Sequence, residues 1–192
     1  MSAKKRLFIA INLPENMKND LERKIEEIRS ELDPSIRFIG RHNWHITLIF
    51  LGYQSDNDVN LINQALSEAA AAFEPLALKF EKITYGPVGR TPRMIWLVAD
   101  RETSKALAKI KDDLERRLFE NGIRFEQEHR QFTAHVTLAR FTALNRESLP
   151  GLDAPFVWSF ESPTLDLMES HLQRKGAEYE ALASHAFSDK IR

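Results

Sequence analysis

The sequence contains the stretch Trp44-His45-Ile46-Thr47-Leu48-Ile49-Phe50-Leu51-Gly52, whose central His-x-Thr-Leu returns ninety positions later as His135-Val136-Thr137-Leu138. Both copies lie in runs of β-branched and aromatic residues bounded by turn formers, a pattern that predicts a strand for each. Alternate side chains of a strand share a face. One face of the first strand therefore carries His45 and Thr47, and the other carries Ile46, Leu48 and Phe50. The second copy divides in the same way, with His135 and Thr137 on the face opposite Val136 and Leu138.

The two polar faces suit acid-base chemistry if they meet across one cleft. Free imidazoles have a pKa of about 6.5, so His45 and His135 can hold opposite protonation states near neutral pH, one as base and one as acid. The hydroxyls of Thr47 and Thr137 add neutral donors that suit the non-bridging oxygens of a phosphodiester. Water would attack phosphorus from one side while an alkoxide leaves on the other, as in-line displacement requires.

A structural or metal-binding role is the alternative for these two histidines. A single His on a strand is commonly structural, but here the same motif occurs twice in matching contexts. Zinc requires three or four protein ligands, and neither His45 nor His135 has a neighbouring Cys, a His at helical spacing or an acidic residue two positions along its strand. We therefore expect no metal and no cofactor. The sequence also lacks a Gly-rich phosphate loop and a Gly-x-Ser-x-Gly elbow, which disfavours Walker-type nucleotide hydrolysis and serine-based acyl transfer.

The composition narrows the class of protein further. The chain has 192 residues, enough for one domain or two small lobes, and a formal net charge of −1 that gives no bulk attraction to nucleic acid or anionic membranes. It contains no Cys, which excludes disulfides and thiolate catalysis and is typical of a cytoplasmic protein. The basic N-terminus is not followed by the features of a signal peptide, and no apolar run approaches membrane-spanning length. We expect a cytoplasmic monomer without membrane association.

The order of the predicted elements indicates an internal repeat. A strand at 7–11, an amphipathic helix and the first motif strand follow one another. After a second helix, which begins at a capping box at Ser55, and a further strand at 76–85, the same order starts again. The opening strand at 93–98 aligns with 6–11 at an offset of 87, and a helix capped by Asn121-Gly122 leads to the second motif strand.

The predicted architecture is α+β. We expect a bilobal, pseudo-twofold arrangement of two antiparallel or mixed sheets that face a central cleft, with helices on the outer faces. The chain would form one bilobal domain, 1–192, whose related halves span approximately 5–90 and 91–192, with strands that can be exchanged between the lobes. The tail predicts a hairpin, with strands at 162–170 and 177–182 joined by Gln173-Arg174-Lys175-Gly176.

Several motifs together resemble a known family. They are the paired His-x-Thr-Leu strands, the opening Arg6-Leu7-Phe8-Ile9-Ala10-Ile11, the Phe50-Leu51-Gly52 after the first motif, and the terminal Ser170-x-Leu172 and Gly176-x-x-Tyr179. Over nearly its whole length the chain is similar to the RNA 2′,3′-cyclic phosphodiesterases, also named 2′-5′ RNA ligases, of the two-histidine phosphoesterase superfamily.

The resemblance has implications for both fold and chemistry. It implies a bilobal fold and metal-independent opening of 2′,3′-cyclic phosphate ends of RNA to 2′-phosphomonoesters. It further implies that His45 is the proton donor to the leaving oxygen and that His135 is the proton acceptor from water. ATP-independent 2′-5′ ligation would then be the reversal of the same reaction.

The lead-in to the second motif departs from the family pattern Arg-Pro-Phe-x-Pro-His, because it reads Arg130-Gln131-Phe132-Thr133-Ala134-His135. The resemblance makes Arg130 a candidate for phosphate binding. Because both prolines are absent, the lead-in is less rigid and fixes the orientation of Arg130 toward the phosphate less well. Arg140 follows the motif as in the family, but strict alternation assigns it to the core-side face. Phe132 or Tyr53 could stack a nucleobase. The remaining histidines lack a Thr two positions later, and we interpret them as structural or surface residues: His42, His129, His171 and His185.

Three hypotheses about function stay open at the level of sequence. The first is an enzyme that hydrolyses 2′,3′-cyclic phosphates at RNA ends. The second is an RNA- or nucleotide-binding module with the same fold, although a binding module needs no acid-base pair. The third is a phosphodiesterase that acts on another small cyclic nucleotide or on 2′-5′ linkages. In each case the expected partner is RNA or a nucleotide, and in the first it carries a 2′,3′-cyclic phosphate.

Overall fold

The computed structural model describes residues 4–87, 89–128, 130–142, 149–173 and 176–188. Within these ranges the chain forms three α-helices and nine strands, plus a short 3-10 helix at Arg41–Asn43. The helices are α1 (Glu15–Arg29), α2 (Asp56–Ala72) and α3 (Arg101–Glu120). The strands are β1 (Lys5–Asn12), β2 (Arg37–Phe38), β3 (His45–Gln54), β4 (Leu76–Gly86), β5 (Met94–Ala99), β6 (His135–Arg140), β7 (Asp153–Ser162), β8 (Thr164–Gln173) and β9 (Gly176–Ala186).

The strands form one sheet in which all the described pairs are antiparallel. Its order is β7-β4-β5-β6-β3-β1-β8-β9, and the short β2 pairs with β6. The two motif strands, β3 and β6, are neighbours in the middle and are paired at Ile46 and Val136. The predicted α+β class is thus confirmed, and the two expected sheets are joined along the motif strands into one.

The helices begin and end for reasons that the sequence contains. The predicted capping box is present at the start of α2, where Ser55 and Asp58 exchange side-chain to backbone hydrogen bonds. At the end of α3, the N–H groups of Gly122 and Ile123 donate to the carbonyls of Phe119 and Leu118, a Schellman pattern that the positive φ of Gly122 permits. The apolar faces of all three helices pack into the core that also contains Ile46 and Val136. The histidines therefore lie on the face of the sheet opposite the core.

This opposite face, which we call the motif face, carries His45, Thr47, His135 and Thr137. A bulge in each motif strand changes which later residues belong to it. In β3, Ala10 pairs with Thr47 but Ile9 pairs with Ile49, so Leu48 is an extra residue. In β6, Trp96 pairs with Thr137 but Ile95 pairs with Ala139, so Leu138 is an extra residue.

The bulges correct two expectations that rest on strict alternation. Phe50, which alternation predicts for the core, is 52% exposed and belongs to the motif face. Arg140, which alternation assigns to the core side, is exposed and belongs to the motif face as well. In both strands the inserted residue and its successor are buried, so the bulge moves the next side chain back to the histidine side.

The register also refines the internal repeat. Ala10 and Trp96 are the respective partners of Thr47 and Thr137, so equivalent residues of β1 and β5 are 86 positions apart (10 and 96), not 87. In the sheet order β4 lies beside β5, whereas β8 and β9 follow β1. The division into related halves at 5–90 and 91–192 stays a prediction. In this division β4 lies beside a strand of the second half, and β8 and β9 follow a strand of the first half, so these are the strands that the halves would exchange.

The tail forms the predicted hairpin of β8 and β9, paired from Thr164 and Ala186 to Gln173 and Gly176. Its turn residues 174 and 175 lie outside the described residues. No sequence pattern predicts β7, which pairs with β4 at the edge of the sheet. No helix in the described part of the chain is both long and apolar enough to cross a membrane.

Candidate active site

The two motif histidines are brought together by the pairing of β3 with β6. Because Ile46 and Val136 are opposite each other in an antiparallel pair, His45 is the cross-strand neighbour of Thr137, and His135 that of Thr47. Cross-strand neighbours of this kind are about 5 Å apart at their Cα atoms. The four predicted site residues therefore form one compact group on the motif face, with the two histidines on its diagonal.

Each imidazole is held by the same backbone contact. Nδ1 of His45 lies 2.7 Å from the carbonyl oxygen of Asn43, and Nδ1 of His135 lies 2.7 Å from the carbonyl oxygen of Thr133. A carbonyl accepts only, so Nδ1 must carry the hydrogen in both rings. The neutral form of each imidazole then has its lone pair on Nε2, which is the atom available for proton transfer.

The surroundings of His45 are aromatic. Its ring contacts those of Phe8 and Tyr179, at centroid distances of 4.9 and 5.1 Å, and Nε2 lies 3.0 Å from the hydroxyl oxygen of Thr47. Burial lowers the pKa of His45 to about 4, against the opposing effect of the Asn43 carbonyl, and the positive charge of Arg140 lowers it further. In the absence of an anion His45 is therefore neutral at pH 7.

The surroundings of His135 are different. Its ring stacks on Trp96 with a centroid distance of 3.8 Å and an interplanar angle of 27°. Burial is the main cause that lowers the pKa of His135, opposed by the Thr133 carbonyl, and the charges of Arg130 and Arg140 add to the lowering. Among the described residues Nε2 of His135 has no hydrogen-bond partner. A neutral His135 with an open Nε2 has the form that a general base requires.

Trp96 is fixed by a glycine on the neighbouring strand. A Cβ added to Gly86 would overlap the six-membered ring of Trp96, so only glycine allows the indole to lie over this part of β4. Trp96 is 4% exposed, and its Nε1 has no partner among the described residues. The sequence does not show the contacts of Trp96 with Gly86 and His135, because they depend on how β5 pairs with β4 and β6.

Two arginines lie near the histidines. Arg140 extends from the motif face, and its charge lowers the pKa of both His45 and His135. Arg130 is about half exposed, and its guanidinium donates two hydrogen bonds to the carboxylate of Glu128, at 2.9 and 3.0 Å. Arg130 is thus close enough to influence His135 but is bound to a carboxylate, and a phosphate would have to compete with Glu128. Its role in phosphate binding stays a prediction.

The other candidate residues lie apart from the group. His171 Nε2 lies 3.4 Å from the carboxylate of Glu180, and His185 forms a hydrogen bond with Asn63. His42 lies against Gly40, and His129 is outside the described residues. Phe132 packs against the core, and Tyr53 is 61% exposed near the end of β3. Within the described ranges no group of three His, Asp or Glu side chains could hold a metal ion.

Comparisons with known proteins find relatives over most of the chain. A profile of the 2′-5′ RNA ligase superfamily matches residues 17–174. A Bacillus subtilis protein named RNA 2′,3′-cyclic phosphodiesterase is 28% identical over 136 residues, which are 69% of each chain. A Methanocaldococcus jannaschii protein of the same name is 27% identical over 184 residues, 92% of this chain and 98% of the relative.

Solved structures share the fold. The protein TT0787 of Thermus thermophilus superposes with a TM-score of 0.80 at 24% identity, covering 95% of this chain and 97% of that one. Escherichia coli LigT complexed with 3′-AMP superposes with a TM-score of 0.74 at 24% identity, covering 96% and 99%. The superfamily match spans most of the sequence and includes both motif strands, and the chain therefore belongs to the 2′-5′ RNA ligase superfamily.

Proposed function

We propose that the protein hydrolyses the 2′,3′-cyclic phosphodiester at RNA ends to a 2′-phosphomonoester, with His45 as proton donor and His135 as proton acceptor. The observation that carries this proposal is the matched pair of imidazoles on one face of adjacent strands, each with Nδ1 bound to a carbonyl and Nε2 left for proton transfer. A binding module would have no use for two imidazoles held in this way.

In the proposed reaction a water molecule attacks phosphorus and His135 Nε2 takes its proton. The bond between phosphorus and the 3′ oxygen breaks, and His45 Nε2 gives its proton to that oxygen. The product has a 2′-phosphate and a free 3′ hydroxyl, and the two histidines have exchanged protonation states. A proton on His45 requires a raised pKa, which an anionic phosphate bound beside it supplies.

The hydroxyls and Arg140 support the phosphate in this scheme. Thr47, whose hydroxyl oxygen lies 3.0 Å from His45 Nε2, can donate its hydrogen to a phosphate oxygen while the hydrogen on Nε2 faces the leaving 3′ oxygen. Thr137, the cross-strand neighbour of His45, offers a second donor. Arg140 adds a positive charge close to both histidines, which favours the negative charge that develops on the phosphoryl oxygens.

The relatives support the same substrate class, since several carry the name RNA 2′,3′-cyclic phosphodiesterase. The name of the superfamily also fits the same ring opening with a different nucleophile. If a 5′ hydroxyl of RNA replaces water, attack of its oxygen on the cyclic phosphate releases the 3′ hydroxyl and forms a 2′-5′ linkage. This step needs no ATP, because the strained cyclic diester is exchanged for an acyclic one.

The test is the identity of the product. An oligonucleotide with a 2′,3′-cyclic phosphate end is incubated with the protein in EDTA, and the product is analysed by phosphorus NMR. We expect only the 2′-phosphomonoester, at a rate that the chelator does not change. A 3′-phosphate or an equal mixture of isomers would contradict the proposed orientation of the ribose. Activity that EDTA abolishes and zinc or manganese restores would contradict the metal-independent mechanism.

A further inference from the structure

Asn43 is a buried polar residue whose side chain joins two distant parts of the chain. It is the last residue of the 3-10 helix before β3, and its Nδ2 donates a hydrogen bond of 2.7 Å to the carbonyl oxygen of Ala177 in β9. Its amide oxygen is buried and has no partner among the described residues. Burial of an unpartnered amide oxygen destabilises a fold, so we expect this side chain to have a role beyond packing.

The main chain of the same residue holds the imidazole of His45. The carbonyl oxygen of Asn43 accepts the hydrogen on Nδ1 at 2.7 Å, and this bond directs Nε2 of the ring away from the 3-10 helix. Side chain and carbonyl are attached to the same Cα. The bond from the side chain to β9 therefore restricts the movement of the carbonyl that orients His45.

The rest of the 3-10 helix is held independently of the Asn43 side chain. The guanidinium of Arg41 pairs with Glu15 and Glu22 of α1, at 2.8 and 2.9 Å. Trp44 is buried, and its indole N–H donates to a main-chain carbonyl at 3.0 Å. The segment should therefore stay folded when the Asn43 side chain is removed, and the loss should be confined to the bond between this residue and β9.

The corresponding carbonyl beside the second motif is that of Thr133, and it is secured by other elements. The next residue, Ala134, accepts a hydrogen bond from a main-chain N–H of β5 and donates its own N–H to the hydroxyl of Ser104 in α3. The lead-in to His45 is tied instead to β9 of the tail hairpin, the strand that also carries Tyr179 against the imidazole. The two motif histidines thus depend on different parts of the fold.

We propose that Asn43 is a positioning residue for proton donation, because its bond to β9 holds the carbonyl that orients the His45 ring. This inference rests on the proposed function, in which His45 Nε2 gives its proton to the leaving oxygen. Without the bond, the carbonyl moves and Nδ1 loses its fixed acceptor. The ring then adopts other orientations and, when neutral, carries its hydrogen on Nε2 for part of the time. Proton donation slows, whereas substrate binding is little affected, since Asn43 does not contact the phosphate in this scheme.

The experiment compares Asn43→Ala and Asn43→Leu with the unmodified protein. Leucine is close to asparagine in shape, so Asn43→Leu removes the bond and the unpartnered oxygen while it keeps the space filled. In both variants kcat for adenosine 2′,3′-cyclic phosphate should fall about 10-fold with little change in KM. A loss of this size is typical when the groups that orient a metal-ligating imidazole are removed.

Nitrogen-15 NMR of the histidine rings, without substrate at pH 7, reports the positioning directly. The neutral His45 ring of the unmodified protein should carry its hydrogen on Nδ1 alone, and both Asn43 variants should show a mixture of the Nδ1–H and Nε2–H forms. The ring resonances of His135 should stay as they are, because its supporting carbonyl is held by β5 and α3.

Gln54→Ala is the matched control. Gln54 is also a buried amide, and its Nε2 donates a hydrogen bond of 2.9 Å to the carbonyl of Arg124, 70 residues away. Its removal should lower the melting temperature but change neither kcat nor the His45 spectrum.

An unchanged His45 spectrum in both Asn43 variants would overturn the inference even if turnover falls, because Asn43 would then support only the fold. A changed spectrum with unchanged kcat would overturn it as well. If the unmodified protein hydrolyses no cyclic phosphate, the proposed function fails, and the spectra alone decide whether Asn43 orients the ring.

Discussion

His45 and His135 occupy equivalent places in the two halves of the sheet, yet their surroundings differ. Both imidazoles donate Nδ1–H to the carbonyl two residues earlier, and both strands bulge one residue after the motif Thr. His45 lies among Phe8 and Tyr179, while His135 stacks on Trp96. The comparison indicates that the motif strands define where the two proton-transfer atoms lie, and that the neighbouring strands make the two ends of the site chemically different.

The largest effect should come from removing either histidine. General acid-base catalysis contributes roughly 10²- to 10⁴-fold per group, and the proposed acid and base act in one step, so His45→Ala and His135→Ala should each lose nearly all turnover. Circular dichroism and thermal unfolding would show that the fold is intact, and His171→Ala serves as a surface control. A variant that keeps more than about a tenth of the original rate would remove that residue from the mechanism.

Gly86→Ala should disturb the His135 end alone. The added methyl group overlaps the indole of Trp96, and overpacking of this kind costs about 1 to 3 kcal/mol of stability. We expect a lower melting temperature and a reduced kcat, because the ring that supports His135 must shift. Gly151→Ala is the matched control, since nothing lies within 4 Å of its added Cβ. Unchanged kcat in Gly86→Ala would show that the Trp96 stack does not position His135.

The two threonines should give unequal effects. Removing one hydrogen-bond donor to phosphate typically costs about 1 kcal/mol, or about fivefold, so Thr47→Val and Thr137→Val should both weaken kcat/KM by such a factor. Only Thr47 also contacts a motif imidazole among the described residues, through its 3.0 Å hydrogen bond to His45 Nε2. Thr47→Val should therefore shift the pH-rate profile as well, whereas Thr137→Val should leave its shape unchanged. Identical profiles in the two variants would contradict this distinction.

The elements that the sequence predicts well are those set by local pattern. The capping box at Ser55, the Schellman end at Gly122 and the tail hairpin all follow from short-range rules and are confirmed. Alternation places Phe50 and Arg140 on the wrong face, because a bulge depends on the partner strand and has no signature in a two-residue period. The two motif strands nevertheless share this feature, because the bulge directly follows the motif Thr in both of them.

The site is predictable only in part. His45 and His135 can be found because the motif is duplicated, and their adjacency follows from two similar strands that pair with each other. The contact between Gly86 and Trp96 joins strands whose register is set by tertiary pairing, so the sequence alone does not show it. The ion pair of Arg130 with Glu128 is a local contact, two residues apart, and a charge count along the lead-in could have found it.

The smallest effect should appear in the pH dependence of stability. The pKa of His45 is about 6.5 in the unfolded chain and about 4 in the folded protein, so between these values the unfolded state binds more protons. The free energy of unfolding therefore falls as the pH drops through this window, by less than about 1 kcal/mol from pH 7 to pH 6 for one such group. His45→Gln removes the group and should flatten the curve, measured by urea unfolding at each pH. His135→Gln should also flatten it, because burial lowers the pKa of His135 in the same direction. If His45→Gln unfolds with the original slope, then the imidazole is already solvated in the folded protein, and the aromatic surroundings that distinguish it from His135 do not act on its charge.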